Sequence, residues 1–286
     1  MCESHSESVR RNRLLPDTSR RLSITARDRR ILVEIFLQRA VTRRQLQHLG
    51  YFGATAVANS RLRRLFDGGY VRRSFVPAGA YATEAVYVPG RDAIPELVSA
   101  LGIERAEIER LIGQEAPMFL AHALAVTDAR IAFTRLKPSC IAHLEWLSEP
   151  EVRHEYRLGS HAESERRVLK PDGALLVTAK TKAYLYFIEV DRGHVSCPQF
   201  AKSCASYTQY ISRGIAREVY GTEHVSVLCI TTGGNLRISH LAEVAKRESL
   251  ALRIASMGDV IRDPYGRVWR SNNSKDLTEL LEVATS

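Results

Sequence analysis

Several things are scarce in these 286 residues, and each scarcity removes a class of protein. Cysteine occurs five times (Cys2, Cys140, Cys197, Cys204, Cys229) without a C-x-x-C pair, which fits neither a disulfide scaffold nor a structural zinc site and leaves buried or incidental thiols. No apolar run approaches the roughly 18 residues of a membrane span. Met1 to Asp17 is polar and Arg-studded, without the hydrophobic centre of a secretion signal. The expectation is a cytoplasmic chain with no membrane partner. Repeats and long low-complexity tracts are also absent, and residues 1–22 lack hydrophobic period, as expected of a flexible basic tail.

Lysine is missing from the first 90 residues, yet that stretch holds 16 Arg against 7 acids and carries the whole net charge of +9. Residues 91–286 hold 25 bases and 25 acids and sum to zero. A basic module joined to a neutral one points to a polyanionic partner, here double-stranded DNA, because clustered cations displace counterions condensed on nucleic acid. It argues against a small-molecule enzyme with an evenly charged surface. An apolar share of 45% is enough to bury a core in one large or two ordinary domains.

Residues 23–90 read as a winged helix-turn-helix. Thr25, followed three residues later by Asp28, starts a helix with Ile31, Leu32, Ile35 and Phe36 on one face. Thr42 and Gln45 start a second, short helix, and a third covers about 54–66 and ends at Gly68-Gly69. A hairpin follows, from Tyr70 to Phe75, through a Pro77-Ala78-Gly79 turn, to Ala85 to Val88. At 100° per residue, Ser60, Arg63 and Arg64 lie opposite Leu62 and Phe66, with Arg61 on the flank. The expected DNA-binding set is Arg43, Arg44, Ser60, Arg61, Arg63 and Arg64, with Arg72 and Arg73 on the wing over the phosphate backbone.

Residues 91–116 read as a helical connector broken at Gly102. The expectation for 117–286 is a helix to about 136, a strand at 141–147, a possible strand at 152–157 and a hairpin of 174–178 with 184–190. A helix at 198–213, a strand at 225–231, a helix at 238–247 and short strands near 250–255 and 267–270 complete it. The fold class is therefore α/β (α+β), a winged helix followed by a PD-(D/E)XK-like domain with the α-β-β-β-α-β order of restriction endonucleases.

Acids sit where that fold keeps metal ligands. Lys170-Pro171-Asp172-Gly173 enters the hairpin and Ile188-Glu189-Val190-Asp191 closes it, with Glu189 and Asp191 on one strand face. A turn near residue 181 brings Asp172 across from 189–191, so Asp172, Glu189 and Asp191 are the expected ligands of Mg²⁺ or Mn²⁺. Where the motif expects lysine the chain has Asp191. Lys202 on the next helix is the first replacement, with Lys180 and Lys182 behind it. His122 shares a stripe with Val126, Ala129 and Phe133 and is either a core histidine with a partner or a group reaching the acids. Tyr207 and Tyr210 are candidate nucleophiles, but Phe200, Cys204, Tyr207 and Ile211 form an i, i+4, i+7, i+11 stripe that reads as core. Thr231-Thr232-Gly233-Gly234 is too short for a phosphate loop. No His-x-His pair is present to hold the metal of a common plasmid relaxase.

These segments together resemble the replication-relaxation family of plasmids and other mobile elements. The likeness lies in T-A-R-D-R-R-I-L-V-E-I from Thr25 to Ile35, the Arg-rich third helix, L-A-H-A-L-A-V-T-D from Leu120 to Asp128, Trp146 to Glu149, Lys170 to Gly173, Phe187 to Gly193, Lys202, and Gly266 to Trp269. The resemblance implies a role in plasmid replication, relaxation or mobilisation. In the catalytic form Asp172, Glu189 and Asp191 hold the metal, Lys202 steadies the phosphate and His122 assists. The alternative is an antitoxin-like repressor whose inactive nuclease-like domain serves dimerisation or partner contact. A homodimer and mobile-element partner proteins are the further expectations.

Overall fold

The computed structural model describes residues 22–77, 79–112, 116–158, 165–272, 274 and 276–281, and divides into two compact units, up to Leu120 and from Ala121. Of the tail expected at 1–22, residues 1–21, Cys2 among them, lie outside the described residues, as does Ala78.

In the first unit both predicted starts are capping boxes. Thr25 with Asp28 opens α1 (Ala26–Leu37), and Thr42, which closes the two-residue strand β1 (Val41–Thr42), opens α2 (Arg43–His48) with Gln45. Each box satisfies backbone donors that a helix start leaves unpaired. Helix α3 (Thr55–Asp67) follows, then β2 (Val71–Ser74) and β3 (Val86–Pro89), and the three strands form an antiparallel sheet in the order β1-β3-β2. Gly69, at φ 74°, takes the left-handed conformation that turns the chain from α3 into β2. The connector supplies α4 (Ile94–Leu101), ended by a left-handed Gly102, and α5 (Arg105–Leu111). Ile94, Leu97 and Ile108 join the same core as Ile31, Ile35, Leu62 and Leu65.

An ion pair fixes α3 against the start of α1. Arg61 Nε donates to Asp28 Oδ1 at 2.5 Å, its Nη2 contacts Oδ2, and Asp28 is 0% exposed. Burial pushes the Asp28 carboxyl up, but the Arg61 and Thr25 hydrogen bonds outweigh it and hold the group below its ordinary value.

The second unit is a three-layer sandwich built on a seven-stranded mixed sheet. Its elements are α6 (Pro117–Arg135), β4 (Ile141–Ser148), α7 (Glu149–Val152), β5 (His154–Leu158), β6 (Glu165–Leu169), β7 (Gly173–Ala179), β8 (Lys182–Asp191), α8 (Cys197–Ser212) and α9 (Ile215–Tyr220). After these come β9 (His224–Thr231), α10 (Asn235–Arg247), β10 (Leu252–Ser256), α11 (Met257–Arg262), β11 (Trp269–Ser271) and β12 (Leu277–Thr278). The sheet order is β12-β11-β10-β9-β8-β7-β4, antiparallel at β4-β7 and β7-β8 and parallel at β8-β9 and β9-β10. The expected α-β-β-β-α-β order is thus α6, β4, β7, β8, α8, β9. The possible strand at 152–157 does not enter this sheet: β5 pairs with β6 in a separate ribbon.

Alternation along β8 sorts its side chains. Tyr186, Ile188 and Val190 pack with Ala125, Ala129 and Phe133 of α6, while Leu185 and Phe187 pack with α8 and α10. Cys204 and Cys229 are buried in the second of these cores, whereas Cys140 and Cys197 are exposed; all four are free thiols. No helix among the described residues is long and apolar enough to cross a membrane.

The Asp28–Arg61 contact generates a prediction. Removing one partner strands the other charge, so Asp28→Ala should cost about 3 kcal/mol and reduce amide protection in α1 and α3. Because the folded carboxyl is lowered, the contribution is complete above the ordinary carboxylate range and is lost as pH falls through the folded value. Urea unfolding at neutral and acid pH checks both statements; equal midpoints for the two proteins at neutral pH would refute the first.

Candidate functional site

The loop from β6 to β7 and the last turn of β8 bring two acids and a histidine together. Asp172 donates its N–H to the Ile188 carbonyl at 3.0 Å, and its Oδ2 accepts the Val190 N–H at 2.8 Å. That double tie extends the β7-β8 ladder, which pairs Gly173 with Ile188, by one residue and holds the carboxyl across from 189–191, as the turn position predicts. The other oxygen, Oδ1, meets His122 Nε2 of α6 at 2.8 Å.

Glu189 belongs to the opposite strand face and accepts a hydrogen bond from the Tyr207 hydroxyl of α8. Burial and the neighbouring Asp172 charge raise its carboxyl well above the ordinary range, against the opposing pull of Tyr207 and Lys170. Burial and Glu189 likewise hold the Tyr207 phenol in its protonated form. At His122 burial opposes a charged ring, but Asp172 outweighs it and raises the imidazole above its usual value.

Asp191 is placed elsewhere. Although it shares a face with Glu189, the register opposite Thr231 carries it to the start of α10. There Arg237 takes both oxygens, Nη2 to Oδ1 at 2.7 Å and Nε to Oδ2 at 2.9 Å, and the Thr231 hydroxyl donates to Oδ2 at 2.7 Å. Burial pushes this carboxyl up, yet the Arg237 and Thr231 hydrogen bonds win and it lies below the ordinary range. The expected cluster of three carboxylates is corrected to a pair, and no group of three or more acids, histidines or cysteines that could hold a metal occurs among the described residues.

Lys202 also departs from expectation. It is exposed on α8, about 200° around the helix from the buried Phe200 and away from the Cys204 and Tyr207 face. The cation that Glu189 feels is Lys170, which pairs with Glu149 of α7 at 3.2 Å. Sequence reading placed Lys170 and Glu149 within motifs without giving either a role, and it missed Arg237. The only signal for Lys170 was its place two residues before Asp172, and Arg237 had none. Tyr207 is the core residue its stripe predicts, with a polar end turned to Glu189. His122 is half-buried on α6 with Asp172 as its partner, outside the core that Val126, Ala129 and Phe133 enter.

In the first unit the arginines divide. Arg61, expected toward DNA, is held by Asp28; Arg63 pairs with Asp67 at 2.9 Å; and Arg73 lies over the Phe66 ring, 4.1 Å from its centroid. Arg43 Nη1 donates to Asn59 at 3.1 Å and Arg44 meets Glu84 at 3.3 Å. Ser60 and Arg64 are exposed on α3, and Arg72 is exposed on β2, its guanidinium 3.5 Å from the Pro89 carbonyl.

Arg237→Leu leaves a carboxyl that is 5% exposed without its counter-ion and should cost about 3–5 kcal/mol. The double variant Arg237→Leu/Asp191→Leu should recover most of that loss. Denaturation of the two variants tests the ion pair, and a double variant no more stable than the single one would contradict it.

Residues 32–225 match the family model described as Replication-relaxation, which is more than half of the chain. No curated protein matches it. Among solved structures the chain is similar to that of the restriction endonuclease FokI, at 12% identity and a TM-score of 0.29, over 82% of this chain and 42% of that one. The chain therefore spans less than half the length of that structure. With an Arg-rich first unit, and an acid pair at the β7-β8 edge of the second inside the matched span, the chain belongs to the replication-relaxation family.

Proposed function

We propose that, within the replication-related DNA processing that its family supports, this chain is a DNA-binding protein of a plasmid or other mobile element that nicks DNA with a divalent metal at Asp172 and Glu189. The observation that carries this reading is the carboxylate pair itself, one member fixed by backbone and His122, the other by Tyr207. Two carboxylates are enough for Mg²⁺, which keeps waters and substrate phosphate oxygens in the rest of its shell. Their mutual repulsion, which raises Glu189, is what a cation between them relieves. Bound there, Mg²⁺ or Mn²⁺ would polarise the scissile phosphate and lower the pKa of the attacking water.

The chain's own groups do the rest. Asp172 raises the His122 imidazole against the effect of burial and so favours its protonated form, which can donate to a phosphate or leaving oxygen, a task the absent motif lysine leaves open. Lys170 supplies positive charge on the Glu189 side. Tyr207 orients the Glu189 carboxyl. In the first unit, three helices and a hairpin in winged helix-turn-helix order present Ser60, Arg64, Arg44 and Arg72 to DNA.

A second reading, a DNA-binding repressor with an inactive nuclease-like domain, is favoured by one observation. The strand position that carries the motif lysine holds Asp191, locked to Arg237, and Lys202 is exposed on α8.

Supercoiled plasmid incubated with Mg²⁺ or Mn²⁺ separates the two. Relaxed circles should form, fail to form with Asp172→Asn or Glu189→Gln, form about 100-fold more slowly with His122→Gln, and form unchanged with Lys202→Ala. Intact plasmid in both metals, with tight and salt-sensitive binding, would leave the repressor. For docking, Arg64→Ala should weaken duplex binding by about 1–3 kcal/mol without lowering the melting temperature; equal affinity would remove α3 from the DNA interface.

A further inference from the structure

We infer that the β5-β6 ribbon is a DNA-contacting arm of the second unit, distinct from the arginines of the first. Residues 153–158 and 165–170 contain five bases (Arg153, Arg157, Arg166, Arg167, Lys170) and two acids (Glu155, Glu165), although residues 91–286 balance to zero. The excess is therefore local, and antiparallel pairing sorts it. His154, Tyr156 and Leu169 belong to one face of the ribbon; Glu155, Arg157, Arg166 and Val168 belong to the other, and all four of these are exposed.

The inner face is anchored. His154 Nδ1 lies 2.7 Å from the Tyr210 hydroxyl, the Tyr156 ring sits 5.2 Å from that of Tyr210, and Tyr156 and Leu169 enter the α8-side core. An arm fixed this way presents its outer side chains on a backbone that needs no ordering at binding. Glu155 lies between Arg153, at 3.0 Å, and Arg166, so one carboxylate serves two guanidiniums and the face stays positive. Arg167 pairs with Tyr156 and so belongs to the anchored face, where it is nonetheless exposed. Guanidiniums along an extended ribbon match a row of phosphates, which take bidentate donors. Val168, 42% exposed among them, suits the sugar edge.

Position gives the arm its use. Strand β6 runs through Lys170 and Pro171 straight into Asp172, so a backbone held on the ribbon lies within a few residues of the acid pair. This link to cleavage rests on the function proposed above; binding by the ribbon does not.

The test uses the full chain and a fluorescent duplex, with affinity measured across salt concentration. Replacing Arg157, Arg166 and Arg167 together by Ala should make the slope of log K on log salt shallower by about 2 to 3 and lower affinity at least tenfold at about 0.1 M salt. Replacing the same three by Lys should restore both. An unchanged slope in a folded triple-Ala variant overturns the proposal, as does failure of the lysines to restore it. Because three substitutions can unfold a short ribbon, a photo-crosslinking residue at Val168 in the otherwise natural chain gives an independent answer. Covalent transfer of labelled duplex supports the arm, and none overturns it. A shallower slope without any plasmid nicking would sink the cleavage reading alone, whereas nicking abolished by Glu189→Gln beside an unchanged slope would sink the arm alone.

Discussion

The site depends on how Asp172 is tied to the last turn of β8. Its amide and its carboxyl are both bound to backbone groups of that strand, so the side chain behaves as one more rung of the sheet. A carboxylate used in this way cannot rotate away from Glu189, and its remaining oxygen selects the His122 ring from the opposite layer. The loop before it inherits the same restraint: Pro171 and Lys170 are delivered to the site edge, and the ribbon that precedes them ends there. Acid pair, histidine and arm are thus arranged by one short stretch of backbone pairing.

Two buried acids and a half-buried one show that chemistry follows the partner rather than the residue type. Asp28 and Asp191 meet guanidiniums that more than offset desolvation, so both ionise more readily than free carboxylates. Glu189 meets a hydroxyl and another acid, so desolvation and repulsion prevail. The first two are joints of the fold, one between α1 and α3 and one between β8 and α10. The third is out of electrostatic balance, the condition that marks a site able to take a cation or a proton.

The arginines of the first unit divide by the same logic. Those that meet an acid or an aromatic ring (Arg61, Arg63, Arg73) hold the small domain together, and those facing outward (Arg64, Arg72) are turned to where a polyanion can reach them. A charge count sees one basic module, whereas the structure separates arginines paired within the fold from those exposed at its surface. In the neutral half the reverse applies, since a zero sum hides a ribbon with a clear excess of positive charge.

Local signals were legible in the sequence because their causes are local. The capping boxes at Thr25 and Thr42, the stripe of α6, the turn near 181 and the approach of Asp172 to Glu189 follow from spacing and strand alternation alone. Strand β6 was not legible, since Glu165-Arg166-Arg167-Val168-Leu169 has too few apolar residues to show a period and is held by its pairing with β5. Nor could spacing assign Asp191 or Arg61: their partners stand 46 and 33 residues away, and only the packed chain brings them within hydrogen-bond reach. By itself, then, the sequence determined most of the elements, the charge division and the approach of Asp172 to Glu189. The tertiary structure decided which charges neutralise one another, because an ion pair depends on separation in space, and separation along the chain does not predict it.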